Sequence, residues 1–209
     1  MTVRTITLFE KIGAVYIAIP KACNTSIKSE LIFLETGKTV PDPHAKDLDM
    51  TTSTPGRLGT SIRRNNFVFT FVRNPWDRMV SLWADKCSEN SDVNLTRWGI
   101  EKGMPFDAFV DRICFFPDEW SQIHFQSQTS LVFYHQRFLP AFIGRFENIQ
   151  SDWTVVTRSL KIKNADRDRA LPRLRTSQHN GYRTYYTQAL AMKLGNRYAA
   201  DAAFFGYAF

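Results

Sequence analysis

Two apolar runs, each halted by a proline-containing turn and followed by a segment with helical spacing, constrain this chain more than any other feature. The first is Ala14 to Ile19 (AVYIAI), which ends at Pro20; the second is Phe67 to Val72 (FVFTFV), followed by Arg73-Asn74-Pro75. Six residues that are apolar at nearly every position describe a strand covered on both faces, as in a parallel sheet. After the first run Ile27, Leu31, Ile32 and Leu34 recur at helical spacing, with Asn24 or Thr25 as N-cap. After the second, Pro75 suits the first helical position and Met79, Val80, Leu82 and Trp83 form an apolar face. Two strand–loop–helix units predict an α/β fold with a central parallel sheet flanked by helices, its ligand crevice at the carboxyl ends of the strands.

The remaining segments fit around these units. Thr5 to Phe9 pairs with Ala14 to Ile19 as a hairpin. Residues 38–66, rich in Thr, Ser, Pro and Gly, read as a long surface segment. Helices are expected at 106–116, 117–134, 148–160 and 185–200, a short strand at 141–146, and a basic loop at 164–180 holding Arg167, Arg169, Arg173 and Arg175. The aromatic tail from Phe204 to Phe209 is expected to dock on the core. The 209 residues are 44% hydrophobic, with 17 Phe and 5 Trp, which is enough for one globular domain over 1–209 and excludes disorder.

Charge and cysteine usage narrow the partners. Lys and Arg number 27 against 20 Asp and Glu, so the surface attracts anions, though net charge alone does not choose among nucleotides, acidic glycans, nucleic acid and anionic lipid. Cys23, Cys87 and Cys114 contain no CxxC pair, which argues against a disulfide framework or zinc ribbon and for a reducing compartment. Residues 1–10 lack the pattern of a signal peptide, and no apolar run approaches the roughly 18 residues of a membrane span. The chain therefore reads as cytoplasmic.

Chemistry concentrates in the two turns. Lys21-Ala22-Cys23-Asn24-Thr25-Ser26 lies between a strand and a helix N-terminus, whose unpaired N–H groups and positive dipole end suit a phosphate. Lys21 adds a cation, and Thr25 and Ser26 add hydroxyls. Walker A spacing is absent, and a capped helix beside a solvated lysine is the alternative. In the second turn Arg73 follows the strand and Ser81 lies about two helical turns on, a pairing suited to a second anion; the alternative is an Arg73–Asp77 ion pair with Ser81 as an ordinary helix residue.

Together, IPKACNTS and FVRNPWDRMVSLW resemble the 5'-phosphosulfate and 3'-phosphate elements of sulfotransferases that use 3'-phosphoadenosine 5'-phosphosulfate (PAPS). The likeness is greatest to the carbohydrate, Golgi-type branch, sulfotransferase family 2, and its bacterial relatives. RFENIQSDW, LPRLRTSQHNGYRTYYT and RYAADAAFFGYAF extend the resemblance over nearly the whole chain. It implies a P-loop NTPase-like fold, PAPS as sulfate donor without a metal, and a carbohydrate or glycolipid hydroxyl as acceptor. By the same resemblance, Lys21 to Ser26 hold the phosphosulfate and Arg73 and Ser81 hold the 3'-phosphate. Asn24 stands where many relatives have Gly, and Asn tolerates the left-handed conformation such a turn needs. The basic loop resembles a lid, with Arg175, Ser177 and Tyr182 touching the nucleotide.

Sulfuryl transfer passes through a loose transition state, so positioning and charge stabilisation matter most. Lys21 would neutralise charge on the leaving phosphate. A base is needed for the acceptor hydroxyl. His124, in HFQSQ, resembles the His-x-x-x-Gln segment of the carbohydrate branch and is the leading candidate, against a packed histidine beside Ile123 and Phe125. His44, His135, His179, Glu30 and Glu147 are weaker candidates. A P-loop kinase or NTPase would need a Walker lysine, and a nucleic-acid-binding module would gather its basic and aromatic residues in one stripe. The sequence has neither feature, while a non-catalytic nucleotide-binding relative remains compatible with it.

Overall fold

The structure, a computed structural model, describes residues 6–45, 51–53, 65–89, 91, 95–174 and 181–209. In chain order the elements are β1 (Ile6–Phe9), β2 (Ala14–Ile17), α1 (Asn24–Thr36), β3 (Thr51–Ser53), β4 (Phe67–Val72), α2 (Pro75–Lys86), α3 (Phe106–Phe115), α4 (Gln128–Val132), β5 (Phe133–Tyr134), β6 (Arg137–Phe138), β7 (Phe142–Arg145), α5 (Ile149–Ser159), α6 (Gln188–Arg197) and α7 (Ala199–Phe205). They fall into two compact units. A sheet unit comprises Val3–Val72 and Leu131–Arg175; a helical unit comprises Met1–Thr2, Arg73–Ser130 and Thr176–Phe209.

The sheet unit is built on five strands in the order β3-β1-β2-β4-β7. Parallel pairing joins β2 to β4 and β4 to β7, with Ala14 opposite Phe67 and Phe69 opposite Phe142. β1 runs antiparallel to both its neighbours, so the sheet is mixed rather than wholly parallel. The physical reason is the tight turn at residues 10–13, which the expected hairpin already required and which leaves no length for a crossover. Alternation explains the continuous apolar runs. Tyr16, Phe69 and Phe71 face Ile27 and Leu31 of α1 and Trp153 and Val156 of α5, whereas Val15, Ile17 and Val68 face Ile6 and Leu139. Thr70, the one polar residue of its run, is buried and donates its hydroxyl to the Ile17 carbonyl at 2.7 Å. Gly144 lets β7 approach β4: a Cβ there would lie 2.2 Å from the Phe71 ring.

In the helical unit α2, α3 and α6 enclose Met79, Val80, Leu82, Phe109, Val110, Ile113, Phe125, Leu194 and Tyr198. The expected helix over 117–134 is not continuous. A 3-10 turn at Asp118–Trp120 gives way to turns, and only Gln128–Val132 is helical before the β5–β6 hairpin. Polar side chains outcompete helical bonding here. Ser121 donates to the Pro117 carbonyl at 2.9 Å, Gln126 to the Asp118 carbonyl at 2.9 Å, and the Ser127 N–H to the Asp118 carboxylate at 3.0 Å. His135, expected near a helix end, instead occupies the hairpin turn with Gln136, both at positive φ. The expected final helix is split: α6 ends at Arg197 and α7 continues from Ala199. Of the tail, Phe205 is buried and Phe209 packs edge-on against Trp76 at 5.7 Å, while Phe204 stays exposed.

Candidate active site

The first candidate anion-binding element belongs to the sheet unit. β2 ends at Ile17, and the chain turns through Lys21 and Cys23, both in the left-handed region at φ 68 and 58. That conformation costs an ordinary L-residue roughly 1–2 kcal/mol, and such strain gathers at functional turns. The left-handed residues are therefore Lys21 and Cys23, not Asn24. Asn24 opens α1 with helical geometry, and Cys23 rather than Asn24 or Thr25 is the N-cap. Cys23 provides no side-chain cap, and the first turn of α1 holds no acidic residue of its own to offset the dipole end. The Oδ1 of Asn24 is buried with no hydrogen-bond partner among the described residues.

Around this turn the named residues take distinct positions. Lys21 is half-buried, and Ala22 is buried with its N–H directed to the Ile19 carbonyl at 3.4 Å. Thr25 Oγ1 and His44 Nε2 share a hydrogen bond at 3.1 Å. Ser26 is buried, and its Oγ accepts from the Leu174 N–H at 3.0 Å. Two turns along α1, Glu30 is buried and accepts from Arg169 Nε at 2.6 Å, while the Arg169 guanidinium lies 4.2 Å from the Phe33 ring centre. This ion pair engages the Glu30 carboxylate. Lys28, which the sequence does not single out, has its pKa lowered by burial, opposed by Asp42.

The second element lies in the helical unit. Asn74 caps α2 by accepting from the Trp76 N–H at 3.0 Å, with Pro75 in the first turn. Arg73 is buried, and its Nε donates to Asp77 Oδ2 at 2.8 Å, the ion pair expected of i,i+4 neighbours. Ser81 is buried on α2. Its neighbour Arg78 is completely buried, with its pKa lowered by that burial, and donates to the carbonyls of Gln126 at 2.8 Å and His124 at 3.1 Å. His124 therefore sits in a turn tied to α2 instead of on a helix. Its Nδ1 and Gln122 Oε1 lie 2.7 Å apart.

Gln128, fully buried, bonds both backbone groups of Arg73, and Asp201 holds the backbone of Gln128 and Thr129. Sequence reasoning missed both roles: HFQSQ contains Gln128, but nothing in the sequence links it to a backbone 55 residues away. Tyr182 packs edge-on to Phe209 at 5.9 Å, and the Arg183 guanidinium lies 4.7 Å from the Tyr182 ring centre. Arg175, Ser177 and His179 lie outside the described residues. Glu147 is exposed in the 3-10 turn after β7.

Among the described residues no group of three or more His, Cys, Asp or Glu could hold a metal ion, and no helix is long and apolar enough to cross a membrane. Compared with known proteins, residues 4–208 match the model of the sulfotransferase family, family 2. No curated protein and no solved structure matches the chain.

Proposed function

This chain belongs to the sulfotransferase family, and on that footing we propose that it moves the sulfuryl group of PAPS to a hydroxyl of a carbohydrate or glycolipid acceptor, as a single catalytic domain of P-loop-like architecture. One observation supports the choice of donor: two separate basic elements are present, Lys21 before the N-terminus of α1, which has no side-chain cap from Cys23, and the buried Arg73 ahead of Ser81. The donor supplies an activated sulfur and a leaving phosphate. Lys21 neutralises the charge that grows on the bridging oxygen as the sulfur–oxygen bond breaks, and the backbone of residues 23–26 with the Thr25 hydroxyl holds the remaining oxygens. Arg73 and Ser81 hold the 3'-phosphate; Arg175, Ser177 and Tyr182 cover the nucleotide. Cysteine usage supports a reducing compartment, and we assign the cytoplasm.

His124 accepts the acceptor's proton as its oxygen bonds to sulfur. The anchoring of its carbonyl by Arg78 supports this role, because a base must be held in place. A second assignment rests on one contact: His44 meets Thr25 at 3.1 Å, on the first turn of α1. His124→Ala and His44→Ala separate the two. The true base loses about 100-fold or more in sulfation and keeps nucleotide-induced stabilisation; the other retains turnover.

The donor assignment is tested by melting the protein with 3'-phosphoadenosine 5'-phosphate (PAP) or with ADP, without added metal. PAP at about 100 Kd is expected to add about 2.7 kcal/mol, and ADP at the same concentration much less. Equal shifts overturn the assignment. Radiolabelled PAPS with a panel of glycans, glycolipids and small alcohols then identifies the acceptor.

A further inference from the structure

We infer that Gln128, itself held by Asp201, is the positioning residue for Arg73; the inference rests on the reading of Arg73 as the ligand of the 3'-phosphate. Arg73 follows the last residue of β4 and precedes the cap of α2, so its own N–H and C=O fall outside both strand and helix. One side chain serves both. Gln128 Oε1 accepts from the Arg73 N–H at 2.9 Å, and Gln128 Nε2 donates to the Arg73 carbonyl at 2.8 Å. A primary amide offers an acceptor and a donor so placed while staying neutral at any pH. A carboxylate here could not donate to the carbonyl, and it would set a negative charge beside the group that must attract an anion.

The amide is fixed in turn. Gln128 is 0% exposed. Its own N–H donates to Asp201 Oδ2 at 2.8 Å, and the N–H and hydroxyl of Thr129 both donate to Asp201 Oδ1 at 2.8 Å. Asp201 is likewise 0% exposed and lies on α7. The next residue of the element is anchored from the same end of the chain, since Asn74 Nδ2 donates to the Ala208 carbonyl at 2.9 Å. The backbone of Arg73 is thus set by Gln128 and the Nε of its guanidinium by Asp77. A guanidinium held at both points enters binding with its geometry already paid for in folding, which raises affinity for a ligand of fixed shape.

The test is the ratio of PAP to ADP affinity, measured by calorimetry on the whole chain, with PAPS kinetics beside it. In Gln128→Met, which keeps the volume and removes both hydrogen bonds, PAP affinity is expected to fall about tenfold with ADP affinity unchanged, the scale of losing two such bonds. KM for PAPS rises in parallel, while kcat stays within about twofold. Asp201→Asn is expected to move the ratio in the same direction and by less. A purely structural role would lower the melting temperature of Gln128→Met and leave the ratio intact, and that result overturns the inference. If Gln128→Met does not fold, an unchanged ratio in Asp201→Asn overturns it equally. The 3'-phosphate reading fails separately, by the wild type showing no preference for PAP or by Arg73→Ala keeping the preference.

Discussion

The two proposed anion-binding elements are built in opposite ways. The turn at Lys21 to Ser26 is shaped by backbone conformation: two left-handed residues, an N-cap without a side-chain bond, and hydroxyls at the start of α1. The turn at Arg73 and Asn74 is shaped by side chains, with one buried amide on the Arg73 backbone, a carboxylate on its guanidinium, and a capping asparagine tied to Ala208. The contrast suits the roles proposed for them: a leaving phosphate, whose charge changes during reaction, would be served by backbone dipoles and a lysine, and a 3'-phosphate, a static handle, by a guanidinium of fixed geometry.

The largest expected effect breaks this comparison if it fails. Lys21→Ala is expected to lower kcat by about 100-fold or more while PAP still binds, because its partner gains charge only as the bond breaks. Arg73→Ala is expected to raise KM for PAPS with a much smaller loss of kcat. Steady-state kinetics on both variants decide; a Lys21→Ala enzyme with normal turnover ends the distinction.

Acid acts on the second element through Asp118. Burial alone would raise the Asp118 pKa, but hydrogen bonds from Ser127 and Arg197 outweigh it and hold the carboxyl below its ordinary value of 3.8. A lowered folded pKa means stability that is present above the unfolded value and lost as pH falls through the folded one. Asp118→Asn is therefore expected to be less stable at pH 7 by about 1–2 kcal/mol, the scale of a charged hydrogen bond, and to lose less on acidification than the wild type. Melting curves from pH 7 to pH 3 check both; parallel curves would remove Asp118 from the support of the 126–128 segment.

The smallest effects should carry opposite signs. Cys23→Gly relieves a left-handed side chain and is expected to raise stability by about 0.5–1 kcal/mol, part of the gain being offset by the greater freedom of Gly in the unfolded chain. Asn74→Ala removes a cap and should cost about 1 kcal/mol. Chemical denaturation measures both, and a destabilised Cys23→Gly would mean that packing of the thiol, not backbone strain, governs the first turn.

What the sequence made legible follows from locality. AVYIAI and FVFTFV announce strands with two covered faces, and Asn74-Pro75 announces a helix start, because each signal is written within a few residues. Residues 117–134 mislead, since their apolar spacing suits a helix while Asp118, Ser121, Gln126 and Ser127 find better partners in one another and in Arg197. β3 escaped notice because three residues, Thr51–Ser53, carry too little pattern. At the site, residue types were readable and their supports were not: Arg73 stands out, whereas its dependence on Gln128 and Asp201 exists only after folding.

The register of the sheet also governs how the chain reaches its native state. β1 and β2 meet across a tight turn, with Phe9 opposite Ala14, but β4 must wait for β7, whose Phe142 pairs with Phe69 some 73 residues earlier in the sequence. Pairings of such separation form late and slowly. On the ribosome, therefore, an edge reading FVFTFV stands without its partner from the emergence of Val72 until Arg145 follows, and it is uncharged and rich in strand-forming side chains. Edges of that kind recruit copies of themselves. The interval between those two residues is when the newborn chain is most prone to aggregate, and slower synthesis or lower temperature during expression acts on that interval.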